Sequence, residues 1–327
     1  MKLLYFTDSH IRGTPPKNRK DDFLETLENK FKEIIHISKL EDTDYILIGG
    51  DLFDRPDISI SIAGKFANLL NKFKIPIYMV SGNHDIYGHN PKTLNRSLLG
   101  LLKNVGLLNI VEAGEKIVLK KDNIKVQLTG QPYIYDIDNT ENKHYYIVDS
   151  LVADVDYAIH LVHGMLLDKP FIEGIPYTLV NDIKSTKADI TISGHYHSGF
   201  NTINYDGKYF INPGSIVRVS NSLNELERRP KLLIIELKDK IDIKYIELKS
   251  AKKGIDVLDR SQIETNIYKR EQLFEFKQTI DSVSNFDKMD INDLLIKVSN
   301  MSGISEDIKE EALRRIANVQ IKGFNGD

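Results

Sequence analysis

Cysteine is absent from the 327 residues, which excludes disulfides and thiolate metal sites. Any metal here must be held by oxygen and imidazole. Tryptophan is absent too, and nothing about function follows from that. There is no cationic surplus: 44 Lys and Arg stand against 47 Asp and Glu, a formal net charge of -3. Contact with a polyanion such as DNA would therefore have to be local. No apolar run approaches the roughly 20 residues needed to cross a bilayer. The opening stretch from Met1 to Phe6 meets Asp8 too early for the apolar core of a secretion signal. The expectation is a soluble, cytoplasmic protein without a membrane role. What is present is 41% hydrophobic residues, enough for one large α/β core and a smaller appended unit.

Five short apolar or β-branched runs read as strands, and each ends in ligand-type side chains. Lys2 to Thr7 leads into Asp8-Ser9-His10. Tyr45 to Ile48 leads into Gly49-Gly50-Asp51-Leu52-Phe53-Asp54. Ile75 to Val80 leads into Gly82-Asn83-His84-Asp85, where the glycine permits a sharp turn. Tyr157 to Val162 leads into His163-Gly164, and Ile190 to Ser193 into Gly194-His195-Tyr196-His197. Helical spacing over about 21–39 and 58–73 separates the first three, which argues a parallel sheet of βαβ units. Further on the chain reads mostly as antiparallel strands, including a hairpin about Asp206-Gly207. The expected fold is α/β: two packed mixed β-sheets flanked by helices, with a C-terminal helical extension.

Asp8 with His10, and His195 with His197, are i, i+2 pairs. In extended backbone such residues point to one side and can converge on one ion. His, Asp and Asn ligands suit Mn²⁺, Fe, Zn²⁺ or Mg²⁺. There are too many for one ion, and Asp51 can bridge two. His160 lies three residues from His163 in the same strand, faces the other way and reads as structural. His36, His89 and His144 have no partners in the pattern and read the same way.

The ordered set of Asp8-x-His10, Gly50-Asp51-x-x-Asp54, Gly82-Asn83-His84-Asp85, His163 and Gly194-His195-x-His197 resembles the calcineurin-like metallophosphoesterase superfamily over about residues 1 to 250. Within it the chain looks most like the Mre11/SbcD branch of DNA double-strand-break exonucleases. That likeness rests on Phe53 in the second motif, the Arg19-to-Phe23 run, and Asn212-Pro213-Gly214-Ser215 with Arg218. The resemblance implies two divalent ions, Mn²⁺ foremost. One would be held by Asp8, His10, Asp51 and His197, the other by Asp51, Asn83, His163 and His195. It implies hydroxide attack on a phosphodiester, His84 as proton donor to the leaving oxygen, and Asp54 or Asp85 as the group orienting His84.

Lys17, Arg19 and Lys20 follow the first motif and are candidates for phosphate-backbone contact, against the plainer reading of a solvated loop. Tyr133, Tyr135, Tyr145 and Tyr146 suit base stacking or, more simply, a satellite apolar cluster. Two functions compete: a nuclease subunit acting on DNA ends, and a small-substrate phosphodiesterase or phosphatase for nucleotides or phosphoproteins. A non-catalytic scaffold is the third reading, although such a scaffold would be expected to have lost ligands or His84. The expected division is a catalytic domain over 1–250 and a helical region over 251–327, with helices near 260–284, 290–301 and 305–320. The branch resemblance implies that this region docks on a Rad50/SbcC-like coiled-coil ATPase. It leaves a homodimer open.

Overall fold

The structure is a computed structural model that describes residues 1–282 together with 307, 310, 311 and 314. The chain divides into two compact units, Met1–Leu258 and Asp259–Asp327. In chain order the first unit runs β1 (Lys2–Phe6), α1 (Phe23–Leu40), β2 (Tyr45–Ile48), α2 (Ile60–Leu70), β3 (Ile77–Met79), α3 (Leu98–Asn104) and β4 (Asn109–Ile110). Then come β5 (Lys116–Lys121), β6 (Ile124–Gln131), β7 (Tyr157–Gly164), β8 (Leu166–Leu167), β9 (Thr178–Leu179), β10 (Ile190–His195), β11 (Phe200–Tyr205) and β12 (Lys208–Asn212). It closes with α4 (Leu223–Glu227), β13 (Lys231–Leu237), β14 (Ile241–Glu247) and α5 (Gly254–Val257).

Two six-stranded mixed sheets form the body, in the orders β14-β13-β1-β2-β3-β4 and β11-β12-β10-β7-β6-β5. The period-2 alternation of β1 explains the layering. Leu4 and Phe6 point to the helices, where they meet Phe31 and Ile34 of α1, Phe66 of α2 and Leu99 of α3. Leu3 and Tyr5 point the other way, onto Leu128, Ile159, Leu161, Ile190 and Ile192 of the second sheet. β13 repeats the pattern, with Leu232 and Ile234 on the helix side and Leu233 and Ile235 between the sheets. The Asp22 side chain accepts from Glu25 N–H and caps α1, a contact worth about 1 kcal/mol.

The second sheet corrects one expectation. Its four central strands, β6, β7, β10 and β12, pair in parallel, and only the edges β5 and β11 are antiparallel. The physical reason lies in β7 and β10, which are buried almost throughout, as parallel strands covered on both faces are. The β13–β14 hairpin belongs to the first sheet, where β13 runs antiparallel to β1.

The first unit extends past residue 250. Ser250 bonds Glu33 through its N–H and hydroxyl, Arg218 donates to Lys252 O, and Gly254, Val257 and Leu258 are buried. In the second unit α6 (Ser261–Ser282) is helical, with Ile267 and Tyr268 exposed. The expected helices 290–301 and 305–320, with Leu294, Leu295, Val298, Ile308, Ile316 and Val319, lie outside the described residues. Positions 307, 310, 311 and 314 are described and helical. No helix among the described residues is long and apolar enough to cross a membrane.

Candidate active site

The C-terminal ends of β7 and β10, which include His163 and His195, and the loops that follow β1, β2, β3 and β10 carry all the expected ligand positions. They do not converge as extended pairs. β1 ends at Phe6, and Asp8, His10, Asp51 and His195 all have left-handed backbone, with φ of 53°, 42°, 47° and 76°. Such conformations cost about 1–3 kcal/mol each at residues with a Cβ and gather where surrounding structure enforces them. Here the enforcement is a ladder that continues past the strands. Asp8 N–H donates to Gly50 O at 3.1 Å, His10 N–H to Asp51 O at 3.0 Å, and Ile11 N–H to Leu52 O at 2.9 Å. Two glycines make the closeness possible. A Cβ at Gly82 would stand 2.1 Å from Asp51 Oδ1, and one at Gly50 (φ 105°) 2.2 Å from His163 Nδ1.

Asp8, His10, Asp51 and His197 bring one ligand atom each within 4.8 Å of one another, and so do Asp51, His163 and His195. Asp51 belongs to both groups. Asn83 joins the second, with Oδ1 3.2 Å from His163 Nε2. His10 Nε2 stands 3.0 Å from His197 Nε2, and His197 Nε2 is 3.5 Å from Asp8 Oδ1.

The donor set fits divalent cations. Asp8 and Asp51 are fully enclosed, and among the described residues their ion pairs are to imidazoles only. Buried carboxylates without a cation are costly. His163 makes the need explicit. Its Nδ1–H donates to Gly49 O at 2.7 Å, which in the neutral ring leaves Nε2 a lone pair. That lone pair faces Asn83 Oδ1 at 3.2 Å and Asp51 Oδ2 at 3.3 Å, so three acceptors converge on one point. Only a proton or a metal ion resolves this. In the metal-free protein the proton does so: burial pulls His163 down, but Asp51 outweighs it and holds the imidazole up at about 9. Burial and the His163 charge push His195 down to about 4. Burial raises Asp8, yet the bond and charge of His197 bring it to about 2, and the same balance against His163 holds Asp51 well below the usual carboxylate range.

His84 stands apart in its bonding. Its Nδ1–H donates to the backbone carbonyl of Asp54 at 2.8 Å, and its own N–H donates to Asp51 Oδ1 at 2.9 Å. A carbonyl only accepts, so Nδ1 carries a proton and Nε2 is left for chemistry. This corrects the expectation for the orienting group: the Asp54 main chain orients His84, not a carboxylate. The Asp54 carboxylate accepts from Arg12 Nη1 at 3.1 Å and lies 3.7 Å from His10 Nδ1. The Asp85 carboxylate turns away, accepting from the N–H groups of Gly82 (2.9 Å) and Phe53 (3.0 Å). Burial and the nearby Asp51 charge push Asp85 up to about 7. It ties the second and third motif loops together.

Of the basic loop, Arg19 is not available to a substrate. Its side chain is 1% exposed, grips Asp21 with two 2.7 Å bonds and lies over the Phe23 ring. Lys17 and Lys20 are exposed, and Lys20 Nζ donates to Ile255 O. Among the described residues the cation that does reach the site is Arg12, which follows His10 by two positions and carries no motif of its own. Tyr146 is buried in an apolar cluster behind the second sheet, with Tyr133 and Tyr145 packed against it. The Tyr133 ring centroid also lies 5.7 Å from that of His195. Thr7, whose hydroxyl donates to Asp8 Oδ2 at 2.7 Å, likewise lies outside the motifs. His160 bonds Thr129 and the Tyr145 carbonyl, and burial holds it down at about 4.

Two packed mixed sheets that carry at their strand ends a His/Asp cluster able to hold metal ions define a metal-dependent phosphoesterase. The chain belongs to the calcineurin-like phosphoesterase family, whose model matches residues 1–199. It is similar to the metallophosphoesterase YkoQ of Bacillus subtilis, with 26% identity over 61% of this chain and 66% of that protein. It is similar to the double-strand break repair protein MRE11 of Encephalitozoon cuniculi, with 24% identity over 77% of this chain and 48% of that one. The DNA double-strand break repair protein Mre11 of Nanoarchaeum equitans is 25% identical over 96% of this chain and 90% of its own length. The chain thus spans less than two thirds of the length of the first two relatives.

Proposed function

We propose that this protein is a two-metal phosphodiesterase that acts as a nuclease subunit on DNA ends. The observation that carries the reading is the pair of ligand clusters joined by Asp51, with His84 beside them and bonded through the Asp54 carbonyl. Asp8, His10, Asp51 and His197 would hold one ion, and Asp51, Asn83, His163 and His195 the other. Such ions, with Mn²⁺ favoured over Mg²⁺ by the imidazole content, supply Lewis-acid stabilisation to the attacking and leaving oxygens of an in-line displacement.

The chain's own residues do the rest. His84, with Nδ1–H committed to a carbonyl, presents Nε2, which once protonated in the imidazolium gives that proton to the leaving oxygen. Its ring centroid is 4.8 Å from that of His10, so it borders the first cluster. Arg12, 27% exposed at the rim, is placed to meet a phosphate oxygen. Asp85 fixes the loops that bear Asp51 and His84 by its backbone bonds.

DNA as substrate is supported by the double-strand break repair relative aligned over 96% of the chain. The competing reading is a small-substrate phosphodiesterase or phosphatase, which would use the same clusters. End-labelled duplex DNA and a small aryl phosphodiester, each with Mn²⁺, separate the two. The nuclease reading expects shortening of the labelled strand. Turnover of the aryl ester with untouched duplex would favour the small-substrate enzyme.

The partner we assign is a Rad50/SbcC-like ATPase, contacted through residues 259–327. A chain ending at Leu258, where the first compact unit closes, is expected to keep aryl phosphodiester hydrolysis and to lose co-elution with that ATPase. Retained co-elution would move the contact into the catalytic unit.

A further inference from the structure

Behind the site stands a buried group that the reaction does not use. Lys30, on α1, is 1% exposed, and its Nζ donates to Ile216 O at 2.7 Å. Burial, then the charges of Arg19, Arg218 and Arg228, push its ammonium well below the usual lysine range, with Asp21 opposing. A lysine in that setting is unfavourable unless the bond it makes has a purpose.

Its neighbours show what the bond belongs to. Arg228 donates to Ser215 O, and also to Val217 O at 2.7 Å. Arg19 Nη1 donates to Arg218 O at 3.2 Å. The carbonyls of four consecutive residues, 215 to 218, therefore each accept from a cationic side chain. Arg218 itself is 2% exposed and spans to Lys252 O and Arg228 O, while its Nε has no acceptor among the described residues. Among the described residues two carboxylates bond these cations, Asp21 to Arg19 and Glu225 to Arg228. Buried carbonyls need donors, and neutral donors would suffice for stability. Charged donors make bonds roughly twice as strong, which holds a segment in one place.

The other edge of the same segment touches the site. The Ser215 hydroxyl donates to Asp8 O at 2.7 Å, Ser215 N–H to His197 O at 3.0 Å, and Ile216 N–H to Thr7 O at 3.1 Å. Thr7 in turn bonds the Asp8 carboxylate. These contacts fall on Asp8 and His197, members of the first cluster. None of them falls directly on Asn83, His163 or His195, and the one link onward is the main-chain N–H of His195, which donates to the Asp8 carboxylate at 3.2 Å.

We propose that Lys30, with Arg19 and Arg228, is a positioning device for one of the two ions. By holding the 215–218 carbonyls it sets Asp8 and His197 for the first ion and bears on the second ion's ligands only through the His195 main chain. The proposal rests on the ligand assignment under Proposed function.

The test is Mn²⁺ binding by calorimetry to the chelator-treated full chain, with melting of the metal-free protein as a check on folding. Lys30→Met removes the donor and keeps the apolar stem. It is combined with His195→Ala, which leaves the first ion's ligands intact, and with His197→Ala, which leaves the second's. In the His195→Ala background Lys30→Met should weaken binding by about 10–100-fold, the usual size for a group supporting a ligand. In the His197→Ala background it should change binding less than about 3-fold, since only the His195 main chain links the two sides. Equal losses in both backgrounds, or loss in neither, overturn the proposal. Should Lys30→Met fail to melt cooperatively, Ser215→Ala carries the same comparison and must show the same selectivity, and its failure to do so overturns the proposal equally. Wild-type protein that binds no Mn²⁺ would instead overturn the ligand assignment itself.

Discussion

Asp51→Ala is expected to lose both metal ions and all metal-dependent hydrolysis while the protein stays folded. Asp51 is the one side chain shared by the two ligand clusters. Its Oδ2 lies 3.7 Å from His10 Nε2 and 3.3 Å from His163 Nε2, while its Oδ1 accepts the N–H of His84 at 2.9 Å. The Ala variant therefore removes a ligand from each ion and a support from the loop that presents His84. Asp51→Asn is no remedy. Oδ1 must remain an acceptor for His84 N–H, so the new amide NH₂ would point at the imidazoles and repel a cation. Metal analysis and circular dichroism on the purified variant check this. Two ions retained in Asp51→Ala would show that the carboxylate does not bridge.

His84→Ala is expected to do the opposite: turnover falls by about 10²–10⁴-fold, the usual contribution of a positioned acid, with metal content close to wild type. The structure offers a rival arrangement, since ligand atoms of His10, Asp54 and His84 also lie within 4.8 Å of one another. The bond from His84 Nδ1 to the Asp54 carbonyl fits either role, because it fixes the tautomer and leaves Nε2 a lone pair that can take up a proton or a metal ion. Metal analysis decides between them. An emptied site in His84→Ala would make His84 a ligand.

The strand ends were legible in the sequence because short β-branched runs stop at glycine, aspartate and histidine, and the βαβ order follows from helical spacing between them. The route by which the ligands meet was not legible. Asp8 and His10 read as an extended pair, yet both are left-handed, held by a hydrogen-bond ladder to the Gly50–Leu52 segment that no local pattern announces. Arg19 read as a surface cation, but Asp21 two residues later supplies a bidentate partner that buries it. The later strands read as mostly antiparallel, with a hairpin about Asp206-Gly207. The buried runs of β7 and β10 carried the parallel signal instead. Lys30 gave no signal at all. It sits on the buried, mainly apolar face of α1, and only the tertiary structure shows the Ile216 carbonyl it serves.

The central claim is that catalysis belongs to a site of two ions held by oxygen and imidazole. Titration of chelator-treated wild-type protein with Mn²⁺, with hydrolysis of an aryl phosphodiester followed at each step, tests it most directly. The account predicts no activity in chelator, binding that saturates at two ions per chain, and activity that rises as the second ion is taken up, with weaker recovery when Mg²⁺ replaces Mn²⁺. Full hydrolysis in the presence of chelator, or saturation at a single ion with full activity, would contradict it.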